Sequence, residues 1–213
     1  MSAPGITTAP VEEYMYRILP ARGEVLADME RQAKERDIPI VGPAVGRLFY
    51  QLAAISGARR VFELGSAIGY STIWWAMAVG EGGRVIYTDS SEGSAKEARR
   101  YVEKAGLADR VEFCVGDALQ ALRDHPGPFD IIFNDVDKTF YPQVLPLVAP
   151  KLRKGGLFLT DNVLWSGRVT APAAEQDENT RAISEFNRKL YEAPEFFTTV
   201  MPLRDGVAIA SRI

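Results

Sequence analysis

Between residues 60 and 162 the sequence alternates short apolar runs with longer, more polar segments, and this alternation constrains the fold more than any other feature. The runs are six or seven residues long: RVFELG, RVIYTD, RVEFCVG, FDIIFND and GLFLTDN. The segments between them, at 70–80, 91–106, 117–124 and 138–153, have helix-like patterns. Strands of a parallel sheet are buried on both faces and therefore consist of continuous apolar residues. The alternation predicts an α/β fold, with a mostly parallel sheet and helices on both faces.

The two ends of the chain have different patterns. Apolar residues at three- and four-residue spacing predict helices at 10–19, 23–37 and 42–58. Near the C-terminus, FFTTVMPLRDGVAIASR contains two β-rich runs around a turn. We therefore expect an antiparallel hairpin to complete the sheet.

The length of 213 residues is typical of one domain. We predict a single domain made of a helical extension at 1–40 and a core at 41–213. The polar stretch at 165–180 precedes the last predicted helix and is predicted to be a lid or a substrate loop.

The composition argues against several classes of function. The chain has 25 Lys and Arg against 28 Asp and Glu, and no basic block, so no nucleic-acid partner is expected. No apolar stretch is long enough to span a membrane, and no membrane partner is expected. The first residues lack the pattern of a secretory signal, so the cytoplasm is the expected compartment. The single cysteine, Cys114, excludes an internal disulfide.

Glycine and acidic residues at the ends of the first three predicted strands indicate a nucleoside site. Gly65 and Gly69 flank the first strand-to-helix turn, where glycine allows the backbone to approach a ligand. Asp89 ends the second strand, at the spacing of an acid that accepts the ribose hydroxyls. Asp117 and Ala118 follow the third strand. Ligands of open α/β sheets bind beyond the carboxyl ends of the strands, so these residues are expected to share one cleft.

The residues around the glycine turn distinguish between nucleoside cofactors. Ala67 replaces the middle glycine of the dinucleotide-binding pattern, which disfavours a pyrophosphate. Glu63 would repel phosphates but can help to hold an ammonium group. S-adenosylmethionine has a cationic amino-acid end and no phosphate, and it is the predicted cofactor.

Polar residues also follow the fourth and fifth predicted strands. Asp135 and Asp137 end the fourth strand, and Asp161 and Asn162 end the fifth. Such residues at strand ends often cap helices or make turns. At neighbouring strand ends beside a nucleoside site, however, two carboxylates and an amide oxygen form a set that suits Mg²⁺.

Two alternatives compete with a metal-dependent transferase. IIFNDVDKT fits the D-x-D-x-T pattern of haloacid-dehalogenase-like phosphatases, in which Asp135 would be the nucleophile and Asp137 the acid/base. That motif normally lies on the first strand of the core, whereas here it follows three strands. The other alternative is a non-catalytic module that binds S-adenosylmethionine. The intact oxygen set and Lys138 argue against it.

Five ordered motifs, FELGSAIGYST, YTDSS, VGDA, FNDVDKTFY and TDNVLWSGRV, resemble those of the cation-dependent O-methyltransferases. This is the family of the caffeoyl-CoA and catechol O-methyltransferases, and the chain resembles its bacterial members most. The resemblance covers roughly residues 40–213. It implies the class I S-adenosylmethionine-dependent methyltransferase fold, which is Rossmann-like, with a seven-stranded sheet and one antiparallel strand. It also implies a homodimer that methylates one hydroxyl of a small catechol-type aromatic diol.

The resemblance also implies roles for individual residues. Asp135, Asp161 and Asn162 match the ligands of a divalent cation, Mg²⁺ foremost, with Mn²⁺ and Ca²⁺ as alternatives. Lys138 matches the proposed general base, and Lys138, Trp165 and Ser166 are expected near the substrate. Together with the strand-end residues, the predicted cofactor contacts are Val41, Glu63, Gly65, Ser66, Gly69, Ser71, Asp89, Ser90, Asp117, Ala118, Asp135 and Asp137. Asn134 departs from the family pattern, which has an apolar or another small residue there.

Overall fold

The centre of the protein is a seven-stranded sheet, which the computed structural model describes within residues 7–213. The strands are β1 (Arg60–Leu64), β2 (Arg84–Asp89), β3 (Val111–Val115), β4 (Phe129–Asn134), β5 (Leu152–Thr160), β6 (Phe196–Met201) and β7 (Val207–Arg212). Their spatial order is β3-β2-β1-β4-β5-β7-β6. β1 to β5 pair in parallel, and β7 runs antiparallel to both β5 and β6. The predicted α/β fold, with one antiparallel strand, is confirmed.

The direction of β7 determines where the last turn of the sheet lies. In register, Thr160 at the end of β5 pairs with Ala208 at the start of β7. The turn between β6 and β7, residues 202–206, therefore lies at the same edge as the carboxyl ends of the parallel strands.

Helices cover both faces of the sheet. They are α1 (Ala9–Arg17), α2 (Glu24–Arg36), α3 (Gly42–Ser56), α4 (Tyr70–Val79), α5 (Glu92–Lys104), α6 (Ala118–Asp124), α7 (Tyr141–Val148) and α8 (Glu178–Glu192). Apolar residues of α2 to α5 pack in one core cluster, and those of α6 to α8 pack in a second cluster on the other face. No helix in the described part of the chain is long and apolar enough to cross a membrane.

Large aromatic side chains fill the core between α3, α4 and the sheet. Trp75 is fully buried and stacks on Phe49, with 4.4 Å between the ring centroids. Phe133 of β4 packs against both rings. Truncating a buried aromatic side chain typically costs about 3–5 kcal/mol, so this contact fixes α3 and α4 on the sheet.

The predicted helix at 138–153 extends too far at its C-terminal end. α7 ends at Val148, a 3-10 turn follows at Ala149–Lys151, and β5 begins at Leu152. Pro150 lies in this turn, and a proline ring supplies no N–H to continue an α-helix. The strand therefore starts four residues earlier than predicted.

The predicted loop at 165–180 contains short helical turns and the start of α8. It contains 3-10 turns at Trp165–Thr170 and Ala173–Glu175, and α8 already begins at Glu178. Asp177 caps α8 by accepting a hydrogen bond from the backbone N–H of Thr180 at 2.7 Å. Within the predicted N-terminal extension, residues 1–6 lie outside the described residues.

Candidate active site

A cavity of about 760 Å³ runs along the carboxyl ends of the parallel strands. The predicted site residues in its wall are Gly65, Asp89, Ser90, Asp117, Ala118, Asp135, Asp137, Lys138, Asn162 and Trp165. The nucleoside end and the proposed metal end therefore belong to one cavity. Its volume is in the range that holds a cofactor or a small ligand.

Other predicted residues do not line this cavity. Glu63, Ser66, Ser71 and Asp161 are buried next to its wall. Val41 is buried at the start of α3, Gly69 caps α4, and Ser166 is half-buried in the loop after β5. This second group therefore does not form the surface of the cavity.

Gly65 is required where the end of β1 meets the end of β4. Its φ is +80°, and a Cβ on this residue would lie 2.5 Å from the backbone oxygen of Asp135. The backbone N–H of Asp135 also donates to the carbonyl of Leu64 at 2.8 Å. Any side chain at position 65 would clash with the backbone of Asp135 and push the ends of β1 and β4 apart.

Glu63 is buried beside the glycine turn and accepts hydrogen bonds from the turn and from α4. Its Oε2 accepts hydrogen bonds from Ser66 Oγ at 2.7 Å and Thr72 Oγ1 at 2.5 Å. Its Oε1 has no hydrogen-bond partner among the described residues. Burial raises the pKa of Glu63 to about 7, against the opposing hydrogen bonds from hydroxyl groups. Oε1 is therefore the atom of Glu63 that could bind a cationic group of a ligand.

Backbone hydrogen bonds fix the acids at the nucleoside end. Asp89 Oδ2 accepts from the N–H of Ala67 at 2.9 Å, and its Oδ1 accepts from the N–H of Ser91 at 2.8 Å. Asp117 caps α6 by accepting from the N–H of Gln120 at 2.9 Å. Each carboxylate oxygen can accept a further hydrogen bond, so these acids can be both structural and ligand-binding.

The ends of β4 and β5 bring the proposed metal ligands together. The N–H of Asp161 donates to the carbonyl of Asn134 at 3.2 Å. Asp161 Oδ1 is buried and has no hydrogen-bond partner within residues 7–213. Burial, together with the charge of Asp135, raises the pKa of Asp161 to about 7. Burial also raises the pKa of Asp135, against the opposing charge of Lys138.

The chemistry of this set fits a divalent cation. Within the described residues no group of three or more His, Cys, Asp or Glu side chains could hold a metal. The set here instead combines two carboxylates with the amide of Asn162. A cation would satisfy the free Asp161 Oδ1 and relieve the repulsion between Asp135 and Asp161, and oxygen ligands are those that Mg²⁺ prefers.

Lys138 lies between a carboxylate and two aromatic rings. Its Nζ donates to Asp135 Oδ1 at 2.7 Å. The same Nζ is 5.0 Å from the ring centroid of Tyr141 and 5.8 Å from that of Trp165. Lys138 and Trp165 both line the cavity.

The turn between β6 and β7 contributes residues that the sequence analysis missed. Asp205 Oδ1 accepts a hydrogen bond from the backbone N–H of Ser166, and its Oδ2 lies 3.4 Å from Asn162 Nδ2. Asn162, Trp165 and Ser166 have φ values of 58°, 46° and 53°. Asp205 therefore holds a loop of unusual backbone conformation in place. The only signal in the sequence was the Asp-Gly pair, which indicated a hairpin turn and no more.

Asn134 is a second unexpected feature. It is fully buried, and neither polar atom of its amide has a hydrogen-bond partner in the described part of the structure. Thr160, its partner in register on β5, has a buried Oγ1 that is likewise unpartnered among those residues. Buried polar groups normally have partners, so this pair departs from the usual interior of a protein.

The strand order and the cavity at its carboxyl edge define the class of protein. A sheet in the order β3-β2-β1-β4-β5-β7-β6 with one antiparallel strand is the class I methyltransferase fold. The family model of the O-methyltransferases matches residues 21–213. The chain therefore belongs to the O-methyltransferase family.

Similar proteins agree with this membership. A catechol O-methyltransferase of Niastella koreensis is 32% identical over 94% of this chain and 95% of its own length. The crystal structure of an O-methyltransferase from Bacillus cereus in complex with SAH is 30% identical, covers 96% of this chain and 97% of that one, and has a TM-score of 0.85. The O-methyltransferase TomG from Streptomyces achromogenes, in complex with SAM, is 30% identical over 95% of this chain and 96% of its own, with a TM-score of 0.86.

Proposed function

We propose that this protein transfers the methyl group of S-adenosylmethionine to one hydroxyl of a small catechol-type molecule, with a divalent cation, Mg²⁺ foremost, bound in the site. One observation carries the proposal: a single cavity contains both the nucleoside-end acids and the oxygen set beside Lys138. The similar structures in complex with SAH and SAM support the choice of cofactor.

The cofactor would bind at the nucleoside end of the cavity. Asp89 would accept the ribose hydroxyls, and the backbone around Gly65 would approach the methionine end. Glu63 Oε1 would take part of the positive charge of the ammonium group. Backbone hydrogen bonds already fix the Asp89 side chain. Binding the cofactor would therefore cost little additional conformational entropy at this residue.

The acceptor would bind at the opposite end. Asp135, Asp161 and Asn162 would hold the cation, whose chemistry there is to lower the pKa of a bound hydroxyl and fix its direction. The ring of Trp165 forms a flat wall against which an aromatic acceptor can pack. Holding donor and acceptor in line can supply up to about 7–11 kcal/mol of the barrier.

Lys138 would remove the proton of the reacting hydroxyl. Its Nζ lies 2.7 Å from Asp135 Oδ1, at the point where the cofactor and metal ends meet. An unprotonated Nζ could accept the proton directly, and the resulting ammonium would be stabilised by the carboxylate beside it. The reaction needs no covalent intermediate with the protein.

A chelator experiment tests the proposal. We expect EDTA to abolish methylation of caffeate or a similar catechol, and Mg²⁺ to restore it, in an assay with labelled S-adenosylmethionine. Binding of S-adenosylhomocysteine, measured by calorimetry in EDTA, should persist because its contacts lie at the other end of the cavity. Full turnover in EDTA would contradict the role of the cation.

Neither alternative function is favoured by a specific observation. Asp135 follows the fourth strand, whereas the phosphatase motif belongs on the first. Phosphatase activity would appear as turnover of p-nitrophenyl phosphate without S-adenosylmethionine. A non-catalytic module would bind the cofactor but would show no metal-dependent turnover of any catechol.

We also propose that the protein is a homodimer. The proposal rests on the resemblance to bacterial O-methyltransferases and on an apolar stripe of α1. Val11 and Tyr14 of α1 and Ile18, the residue directly after it, are about half exposed and are spaced three and four residues apart. Such a stripe on a helix without a fully buried residue is suited to a second copy of the chain.

A further inference from the structure

Arg204 has a backbone conformation that is unusual for its residue type. Its φ is 51°, in the left-handed region, and it lies in the turn between β6 and β7. A left-handed conformation costs a residue with a side chain roughly 1–2 kcal/mol, and glycine would avoid this cost. Backbone strain of this kind concentrates at functional sites, so it points to a functional role for the side chain of Arg204.

The guanidinium of Arg204 reaches across to the segment before α3. Its Nη1 donates to the carbonyl of Ile40 at 2.6 Å. A Cβ on Gly42 would lie 3.0 Å from this Nη1 and 3.4 Å from the hydroxyl oxygen of Tyr16. The side chains of Arg204 and Tyr16 therefore meet over Gly42.

Arg204 is a half-buried cation without an ion pair among residues 7–213. The hydrogen bond to Ile40 uses one of the five N–H groups of the guanidinium. The remaining N–H groups, with the hydroxyl of Tyr16 beside them, are available to an anion.

Arg204 lies near the proposed acceptor end of the cavity. Asp205, the residue after Arg204, accepts a hydrogen bond from the backbone N–H of Ser166, and its Oδ2 lies 3.4 Å from Nδ2 of Asn162, a proposed metal ligand. Pro39, directly before Ile40, lines the cavity. Arg204 thus lies at the rim, close to the proposed metal ligands.

We propose that Arg204 recognises a carboxylate of a molecule bound in the cavity. The arginine fork matches a carboxylate with two parallel hydrogen bonds, and a half-buried site strengthens them. Two sources of the carboxylate are consistent with this chemistry: an acidic catechol acceptor and the methionine end of the cofactor. The contacts of the adjacent Asp205 with Asn162 and Ser166 favour the acceptor. The inference rests on the proposed function, which supplies both molecules.

The test compares wild type, Arg204→Gly, Arg204→Gln and a control, Arg188→Gln. Glycine suits the left-handed backbone, so Arg204→Gly removes the side chain without new strain. Arg188 is exposed on α8 and pairs with Glu192. The first arm measures kcat/KM for 3,4-dihydroxybenzoate and for 3,4-dihydroxybenzyl alcohol, which differ in the carboxylate. The second arm measures calorimetric affinities for S-adenosylhomocysteine and for 5′-methylthioadenosine, which lacks the carboxylate.

If the acceptor is the source, both Arg204 variants should lose on the order of tenfold to a hundredfold in kcat/KM for the acid. The alcohol and both nucleosides should be unaffected. If the cofactor is the source, the affinity for S-adenosylhomocysteine should fall while that for methylthioadenosine is kept, and the acid and the alcohol should be affected alike. Equal losses for all four ligands, or no loss for any, would overturn the inference, because a purely structural tether to Ile40 does not distinguish a carboxylate from an alcohol.

The failure of this inference is distinguishable from failure of the proposed function. If wild type methylates neither diol, the proposed function has failed. Calorimetric binding of the acid and the alcohol, with Mg²⁺ and S-adenosylhomocysteine present, still decides the role of Arg204. An acid preference that Arg204→Gly removes and Arg188→Gln keeps supports it, and an unchanged preference contradicts it.

Discussion

Unsatisfied polar atoms collect at the ends of three neighbouring strands. Glu63 near the end of β1, Asn134 at the end of β4 and Asp161 after β5 are buried, and each has a side-chain atom without a hydrogen-bond partner among the described residues. Leaving such atoms unpaired costs about 1–3 kcal/mol each. Glu63 Oε1 and Asp161 Oδ1 lie beside the cavity, where a bound cationic group could satisfy them, whereas Asn134 does not line it.

The stability of the protein should depend on pH through Glu63. Burial raises its pKa to about 7, from an ordinary 4.5, so the folded state holds the proton more tightly than the unfolded chain. The resulting stabilisation is present below the unfolded pKa and is lost as the pH rises through about 7. Glu63→Gln cannot ionise. The free energy of unfolding of Glu63→Gln, relative to that of wild type, should therefore rise by on the order of 1–3 kcal/mol between pH 5.5 and pH 8.5.

Urea denaturation of both proteins in EDTA, without cofactor, measures this difference. Asp161 also titrates but is present in both proteins, so its contribution cancels. The same free-energy difference at pH 5.5 and pH 8.5 would contradict a raised pKa for Glu63.

Asn134 and Asp135 are adjacent but should respond oppositely to substitution. Asn134→Leu replaces two unpaired polar atoms by methyl groups of similar shape, so we expect stability to be kept or raised by about 1 kcal/mol. Methyl transfer should stay within about threefold of wild type, because Asn134 does not line the cavity. Asp135→Asn should lower turnover by roughly a hundredfold or more, because it removes the negative charge of a proposed metal ligand that also pairs with Lys138. Similar losses in turnover for the two variants would contradict the assignment of Asp135.

At the scale of secondary structure elements, glycines set how closely neighbours approach. Gly46 of α3 faces Trp74 of α4, and a Cβ at position 46 would lie 2.2 Å from Trp74 Nε1. Trp74 cannot move freely, because it is buried beside Tyr70 with 6.5 Å between their ring centroids. The packing of α3 on α4 therefore depends on the absence of a side chain at position 46.

Gly46→Ala should destabilise the protein by about 1–3 kcal/mol, the usual cost of overpacking a core. Gly93→Ala in α5 is the matched control, since its Cβ would meet no atom closer than 3.6 Å. Because alanine is a better helix former, this control should be neutral or stabilising by up to about 1 kcal/mol. Thermal or urea unfolding of both variants tests the contact. Equal stabilities would show that α3 and α4 can separate without cost.

The elements that the sequence predicted well are those with a strong local pattern. The strands around Phe62, Ile86 and Ile132 are continuous apolar runs, and their order along the chain determines where their carboxyl ends lie. The start of β5 was predicted too late, because Lys154 and Gly155 are exposed and look like a turn. The alignment of Leu152 with Phe129 is a tertiary pairing, which no local pattern reveals.

The same limit applies to the candidate site. Asp89, Asp135 and Asn162 could be predicted because each follows an apolar run directly. Arg204 and Asp205 could not, because their role depends on β7 lying between β5 and β6. Whether Glu63 lines the cavity or lies beneath the glycine turn was likewise beyond the sequence, since both positions are compatible with a strand end.

At the scale of the whole molecule, the apolar stripe of α1 gives the proposed dimer a testable interface. We expect the wild type to sediment at twice the mass of one chain at micromolar concentration. Tyr14→Glu together with Ile18→Glu should give monomers, because two charges would be buried without partners. Glu13→Gln, on the same helix but outside the stripe, is the control. A monomeric wild type would contradict the homodimer.

The position of β7 also has a consequence for the order of folding. The nucleoside end is built from nearby residues, since Ala67 and Asp89 are 22 positions apart. The acceptor end joins Ser166 to Asp205, 39 positions apart, and Ile40 to Arg204, 164 positions apart. Contacts that close longer loops cost more entropy and tend to form later. We therefore expect the folding chain to acquire a place for the cofactor first, and a place for the acceptor only when its last strand inserts into the sheet.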